Sequence, residues 1–126
     1  PSGTPINKKI TAEDVFNNIP TWVGLNSTSQ SITGDGSTST AIDVITPVTE
    51  VDATSAGAPL TLADGNNGQI KTILNVSSSG TETVTITPAN LRGFTTITLN
   101  APGETVTLMF KNSNWNIIAG HDYSAA

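Results

Sequence analysis

Between residues 83 and 110 the chain repeats one pattern three times. The runs are Thr83-Val84-Thr85-Ile86-Thr87, Thr96-Ile97-Thr98-Leu99 and Thr105-Val106-Thr107-Leu108-Met109-Phe110, with turn residues between them. A period of two sends successive side chains to opposite faces of a strand, so each run carries one apolar face and one hydroxyl face. Threonine is β-branched and suits a pleated, half-buried surface. This stretch is therefore committed to β-structure.

The rest of the chain supports extending that reading. Threonine, serine and asparagine number 21, 12 and 12, together 45 of the 126 residues, while charged residues make up only 12 %. Such a composition predicts an all-β protein with a neutral, hydroxyl-rich exterior. The length suits one domain able to bury a core without covalent staples. With no cysteine in the chain, disulfides, thiol nucleophiles and sulfur-ligated metals are excluded.

Strand-like runs recur through the body. Ile42, Val44, Val48 and Val51 precede Leu60 and Leu62; Asp64 to Gly68 then reads as a turn. Ile70, Thr72, Leu74 and Val76 read as one face of the next strand, and Trp115, Ile117 and Ala119 as one face of the last. About seven short strands at close spacing predict a compact antiparallel sandwich or barrel-like domain. A parallel β-solenoid is the competing arrangement, but the unequal intervals between turns fit no fixed period.

The N-terminal part differs in character. Thr11 is a candidate N-cap, Glu13 and Asp14 suit a first helical turn, and Pro20 ends the element; a short helix is expected over residues 12–18. Residues 26–40 are Ser/Thr/Gly-rich, with Ile32 the one large apolar residue, and read as a linker or loop. The expected organisation is an arm (1–25), that linker (26–40), a β-domain (41–120) and a C-terminal tail (121–126).

Reactive chemistry is sparse. His121 is the single histidine, beside Asp122 in the tail, and no G-x-S-x-G accompanies it. Asp64 and Asn66 mimic the start of a calcium loop, but no closing glutamate follows, and turn chemistry explains the same residues. Asp43, Glu50, Asp52 and Glu82 are scattered acids with no aromatic cluster to mark a sugar cleft. Asn26-Ser27-Thr28 and Asn75-Val76-Ser77 match the glycosylation pattern. No catalytic residue, metal site or cofactor is expected.

The formal charge is −5, with Lys8, Lys9, Lys71, Arg92 and Lys111 as the only cations. No basic stripe for nucleic acid and no apolar run of membrane-spanning length is present, so neither partner is expected. Pro1 is what removal of an initiator methionine leaves, and the N-terminus lacks the pattern of a secretory signal; synthesis in a cytoplasm is expected.

Residues 58–120 carry a "LTL-DG--GQ-K" opening, a "TVTITP-NL-G-TTITL" centre and a "G-TVTL-F--W-II-G" close. This half of the chain resembles a small β-module of structural proteins in tailed bacteriophages, notably cyanophages and marine phages, found in head decorations and in fibres. The resemblance implies homotrimers with narrow sheets packed about a threefold axis. Leu74, Val84, Ile86, Ile97, Leu99, Val106, Leu108, Phe110, Trp115 and Ile117 would then serve core or trimer packing. The first 40 residues fall outside the pattern. In a short chain with no shaft repeats, they suit a segment that grips a capsid lattice. Lys8, Lys9, Phe16, Trp22, Val23 and Leu25 are the docking candidates. The expectation is a non-enzymatic decoration (cement) protein in the virion, on the outer surface of the head, bound to the major capsid protein. A fibre or appendage module that binds a host glycan is the alternative.

Overall fold

A computed structural model describes residues 29–126. The arm and its expected helix, with Lys8, Lys9, Phe16, Trp22, Val23 and Leu25, lie outside these residues. Among the described residues there are ten strands: β1 (Gln30–Gly34), β2 (Thr40–Ile42), β3 (Val48–Ala53), β4 (Ala58–Leu62), β5 (Ile70–Asn75), β6 (Val84–Pro88), β7 (Ile97–Leu99), β8 (Thr105–Lys111), β9 (Asn114–His121) and β10 (Ser124–Ala125). They form two five-stranded sheets, ordered β1-β3-β5-β8-β9 (sheet I) and β10-β7-β6-β4-β2 (sheet II). The two sheets face each other across one apolar core and do not close into a barrel.

The antiparallel expectation holds for only part of the molecule. β1 to β6 alternate between the sheets, and β1-β3-β5 and β2-β4-β6 are parallel neighbours. The first six strands therefore wind as three turns of a two-sheeted coil, the arrangement set aside on the sequence. Its repeat is hidden because the turns differ in length. Gln30 pairs with Thr49 but Val48 with Thr72, so the interval grows from 19 to 24 residues. β7 then folds back antiparallel on β6, β8 on β5, β9 on β8 and β10 on β7. A period-two pattern carries no information on strand direction, which explains the difference.

Two of the additional strands occupy segments read as irregular. β1 and the start of β2 fall within the Ser/Thr/Gly stretch, and β10 is in the tail. β1 buries only Ile32 and Gly34, so it presents almost no apolar signal. A Cβ on Gly34 would stand 2.2 Å from Ala58 Cβ, so the sheets meet closely there only because the residue is glycine. The turn that follows is capped by Asp35, whose Oδ1 accepts from Ser37 N (3.0 Å) and Thr38 N (3.1 Å).

Packing confirms the parity read from residues 83–110. Val84, Ile86, Ile97, Leu99, Val106, Leu108 and Phe110 all point into the core, joined by Trp115. The Phe110 and Trp115 rings meet edge to face, 5.2 Å apart at 71°. Trp115 Nε1 donates to Ala63 O (2.9 Å), so the indole is satisfied while buried.

β5 reverses the expected face. Its inward residues are Lys71, Ile73 and Asn75, whereas Ile70 and Val76 are exposed and Leu74 is half-buried on the outside. Pairing of Ile73 with the buried Val106, and of Asn75 with the buried Val51, sets that register. Leu74 is thus not a core residue. A second correction falls on β9, where a bulge opposite Thr107 and Leu108 displaces the alternation. Ile117 still packs against the core, but Ala119 is paired with the outward Thr107 and is exposed.

Candidate functional site

The least ordinary side chain in the body is Lys71. It is fully buried, and its Nζ donates to the carbonyls of Asp43 (2.7 Å) and Thr46 (2.5 Å). Two residues earlier, on the same strand-face parity, Gln69 donates its amide to Val44 O. The Asp43 carboxylate accepts from Ile45 N (3.0 Å) and Thr46 Oγ1 (2.5 Å). The segment from Asp43 to Pro47 is thereby folded around an ammonium group, and the next backbone bond, Thr72 N to Pro47 O (2.8 Å), closes it. Ile45 stands at the tip, 86 % exposed.

The electrostatics follow from that arrangement. Burial disfavours the ammonium and lowers the Lys71 pKa from 10.5 to about 8, with the nearby Asp43 opposing the shift. The hydrogen bonds from Thr46 and Ile45, with a smaller attraction to Lys71, hold the Asp43 carboxyl below its usual value. The Gln-x-Lys spacing was visible in the sequence as part of the shared opening, but β5 was read with Lys71 facing outward.

A second polar cluster lies at the opposite end of β5. Asn75 is buried, and its Oδ1 accepts from Ser77 N (3.0 Å) and Ser77 Oγ (2.6 Å). Its Nδ2 donates to Glu82 O (3.1 Å) and Leu99 O (3.3 Å), while Ser77 Oγ accepts from Ala53 N (2.8 Å). The amide ties three strand ends together and is not available as a glycan acceptor. Beside it, Glu82 Oε2 is buried without a hydrogen-bond partner among the described residues.

The other sequence candidates are dispersed. His121 and Asp122 form an exposed pair at 3.2 Å. Asp64 is occupied by Asn90 Nδ2 (3.1 and 2.8 Å), and Gln69 N bonds Asn66 O (2.9 Å) around Gly68 at φ 88°, which is a turn. Glu50 and Asp52 face outward from β3. Among the described residues no three His, Cys, Asp or Glu side chains gather to hold a metal ion. Val84, Ile86, Ile97, Leu99, Val106, Leu108, Phe110 and Trp115 are buried within a single copy of the chain.

No family model matches the chain, and no curated protein does either. What the geometry defines is an all-β body of two mixed sheets, with one loop fixed by a buried lysine.

Proposed function

We propose that this chain is a bacteriophage capsid decoration protein, a non-enzymatic homotrimer that binds the outside of the head and stabilises the shell. The observation that carries the reading is the division of labour along the chain. Residues 29–126 include a body with a closed apolar core and a sheet II exterior without charge, in which Thr61, Thr85, Thr87 and Thr98 are joined by Ala41, Pro59 and Ser124. Such a skin remains hydrated and does not adhere to neighbouring particles. Attachment then falls to residues 1–25, where Phe16, Trp22, Val23 and Leu25 supply apolar anchors and Lys8 and Lys9 supply charge. The partner is the major capsid protein and the location is the outer surface of the virion.

A host-adhesion module is the second reading, favoured by Phe94, a half-exposed aromatic on the connection between β6 and β7. Deleting residues 1–25 separates the two. Under the decoration reading the truncated protein loses binding to expanded heads. Full retention of that binding refutes arm docking. Glycan binding that disappears in Phe94→Ala favours adhesion instead.

A further inference from the structure

The two outer faces of this molecule differ, and the difference lies in β5. Sheet II presents Ala41, Pro59, Thr61, Thr85, Thr87, Thr98 and Ser124 outward, with no large aliphatic side chain among them. Sheet I turns Ile70 and Val76 outward at 40 % and 47 % exposure, with Leu74, Met109 and Val48 half-buried around them. The bulge residue Ile118 is 50 % exposed at the β9 margin. β5 gives up interior positions to Lys71 and Asn75, while Ile70 and Leu74 on the strand and Val76 just after it stand outside. A surface strand of a protein that remains alone has the opposite pattern.

We infer that the outer face of sheet I is a self-association surface, covered by the same face of a second copy of this chain. The inference rests only on the homo-oligomer part of the proposed function. Charge supports this occupant. The chain carries a net −5, so contacts that keep the acidic margins of two copies apart are favoured over contacts that stack them. The outward residues of the central strands are Ile70, Thr72 and Leu74 on β5, followed by Val76, and Thr105, Thr107, Met109 and Lys111 on β8. None is an acid, and the one charge is the Lys111 cation at the end of β8. The acids Glu50 and Asp52 are confined to the β3 side.

Register selects the orientation. Glu50, Leu74, Thr105 and His121 lie in one row across the sheet. A rotation axis parallel to the strands keeps every row at its own height and sets the β3 margin of one copy beside the β9 margin of the next. Glu50 then meets His121, which is itself 3.2 Å from Asp122. An in-plane twofold across the strands would instead stack the acidic margins on each other. The size is also appropriate. Five strands ~4.8 Å apart and about six residues long give roughly 500 Å² in projection, comparable with the ~800 Å² of accessible surface each partner contributes to a specific interface.

The test is the mass of the full chain by sedimentation and light scattering. Wild type is expected as an oligomer of the 13.0 kDa protomer. Ile70→Glu, and separately Ile118→Glu at the more exposed position, should reduce it to protomer mass with the far-UV spectrum unchanged. Thr61→Glu on sheet II should leave the oligomer intact. A monomeric wild type overturns the inference, whether the face is bare, covered by residues of the same chain or reserved for a foreign protein. So does a folded Ile118→Glu variant that stays oligomeric, or dissociation by Thr61→Glu. Capsid binding does not enter these results. An oligomer that uses this face yet ignores capsids refutes the decoration reading alone.

Discussion

Lys71 gives the body an unusual dependence on pH, and its sign can be derived. In the unfolded chain a lysine titrates near 10.5, whereas in the folded protein burial brings Lys71 to about 8. Below pH 8 both states hold the proton, so the penalty of burying the ammonium is fully present and does not change with pH. Between pH 8 and 10.5 the unfolded state binds the proton and the folded state does not, so stability rises with pH. The full interval is worth at most about 3.5 kcal/mol, and about 2 kcal/mol is reached by pH 9.5, at ~1.4 kcal/mol per unit. The neutral amine still has two N–H donors for the carbonyls of Asp43 and Thr46, so the loop is retained as the desolvation penalty is relieved. Lys71→Met removes the titration, and it should change stability at pH 7 only modestly, because a lost buried charge offsets lost hydrogen bonds. Urea unfolding of both proteins by circular dichroism, from pH 7 to 9.5, isolates the Lys71 contribution, because every other group is common to the two proteins and cancels on subtraction. A difference curve that climbs above pH 8 is expected. A flat or falling curve would refute the burial argument, and a fall would mean that the folded state holds the proton more tightly.

Three further outcomes follow from the packing. Asn75→Ala should cost about 2–4 kcal/mol in chemical denaturation, because it strands the Ser77, Glu82 and Leu99 backbone groups it serves; a loss under 1 kcal/mol would mean water replaces the amide. Gly34→Ala forces a Cβ to within 2.2 Å of Ala58 Cβ, so β1 should separate from its place and lose amide-exchange protection while β8 keeps its own. Ser113→Gly should stabilise by about 0.5–1 kcal/mol, since Asn112 and Ser113 sit at φ 53° and 62° in the two-residue β8–β9 hairpin turn. An unchanged melting temperature would argue that the turn is not strained.

Much of the core was legible in advance. The alternation over 83–110 placed Val84, Ile86, Ile97, Leu99, Val106, Leu108 and Phe110 on the inner face, where they lie, and left out only Pro88 at the end of β6, since a strand with one clean apolar face has only one way to point. The turn read over Asp64 to Gly68 was equally legible from glycine and asparagine chemistry. β5 was not, because Ile70, Ile73, Leu74 and Val76 offer apolar residues to both faces. Nor was β1, whose contribution to the core is one isoleucine and a glycine. The fixed loop at Ile45 was beyond reach for the same reason: Lys71 had been assigned to the wrong side.

By itself, then, the amino-acid order determined the all-β class, the hydroxyl-rich exterior that sheet II presents and the apolar inner face of β6 to β8. These are local properties, set by side-chain alternation and turn geometry within a few residues. Only the tertiary structure decided that the first six strands run as a parallel coil, that β5 turns its lysine inward, and that one sheet is left with an aliphatic exterior. Strand direction and register are settled by partners about 20 to 35 residues away, as in Gln30 with Thr49 and Ile73 with Val106. No local pattern encodes those distances.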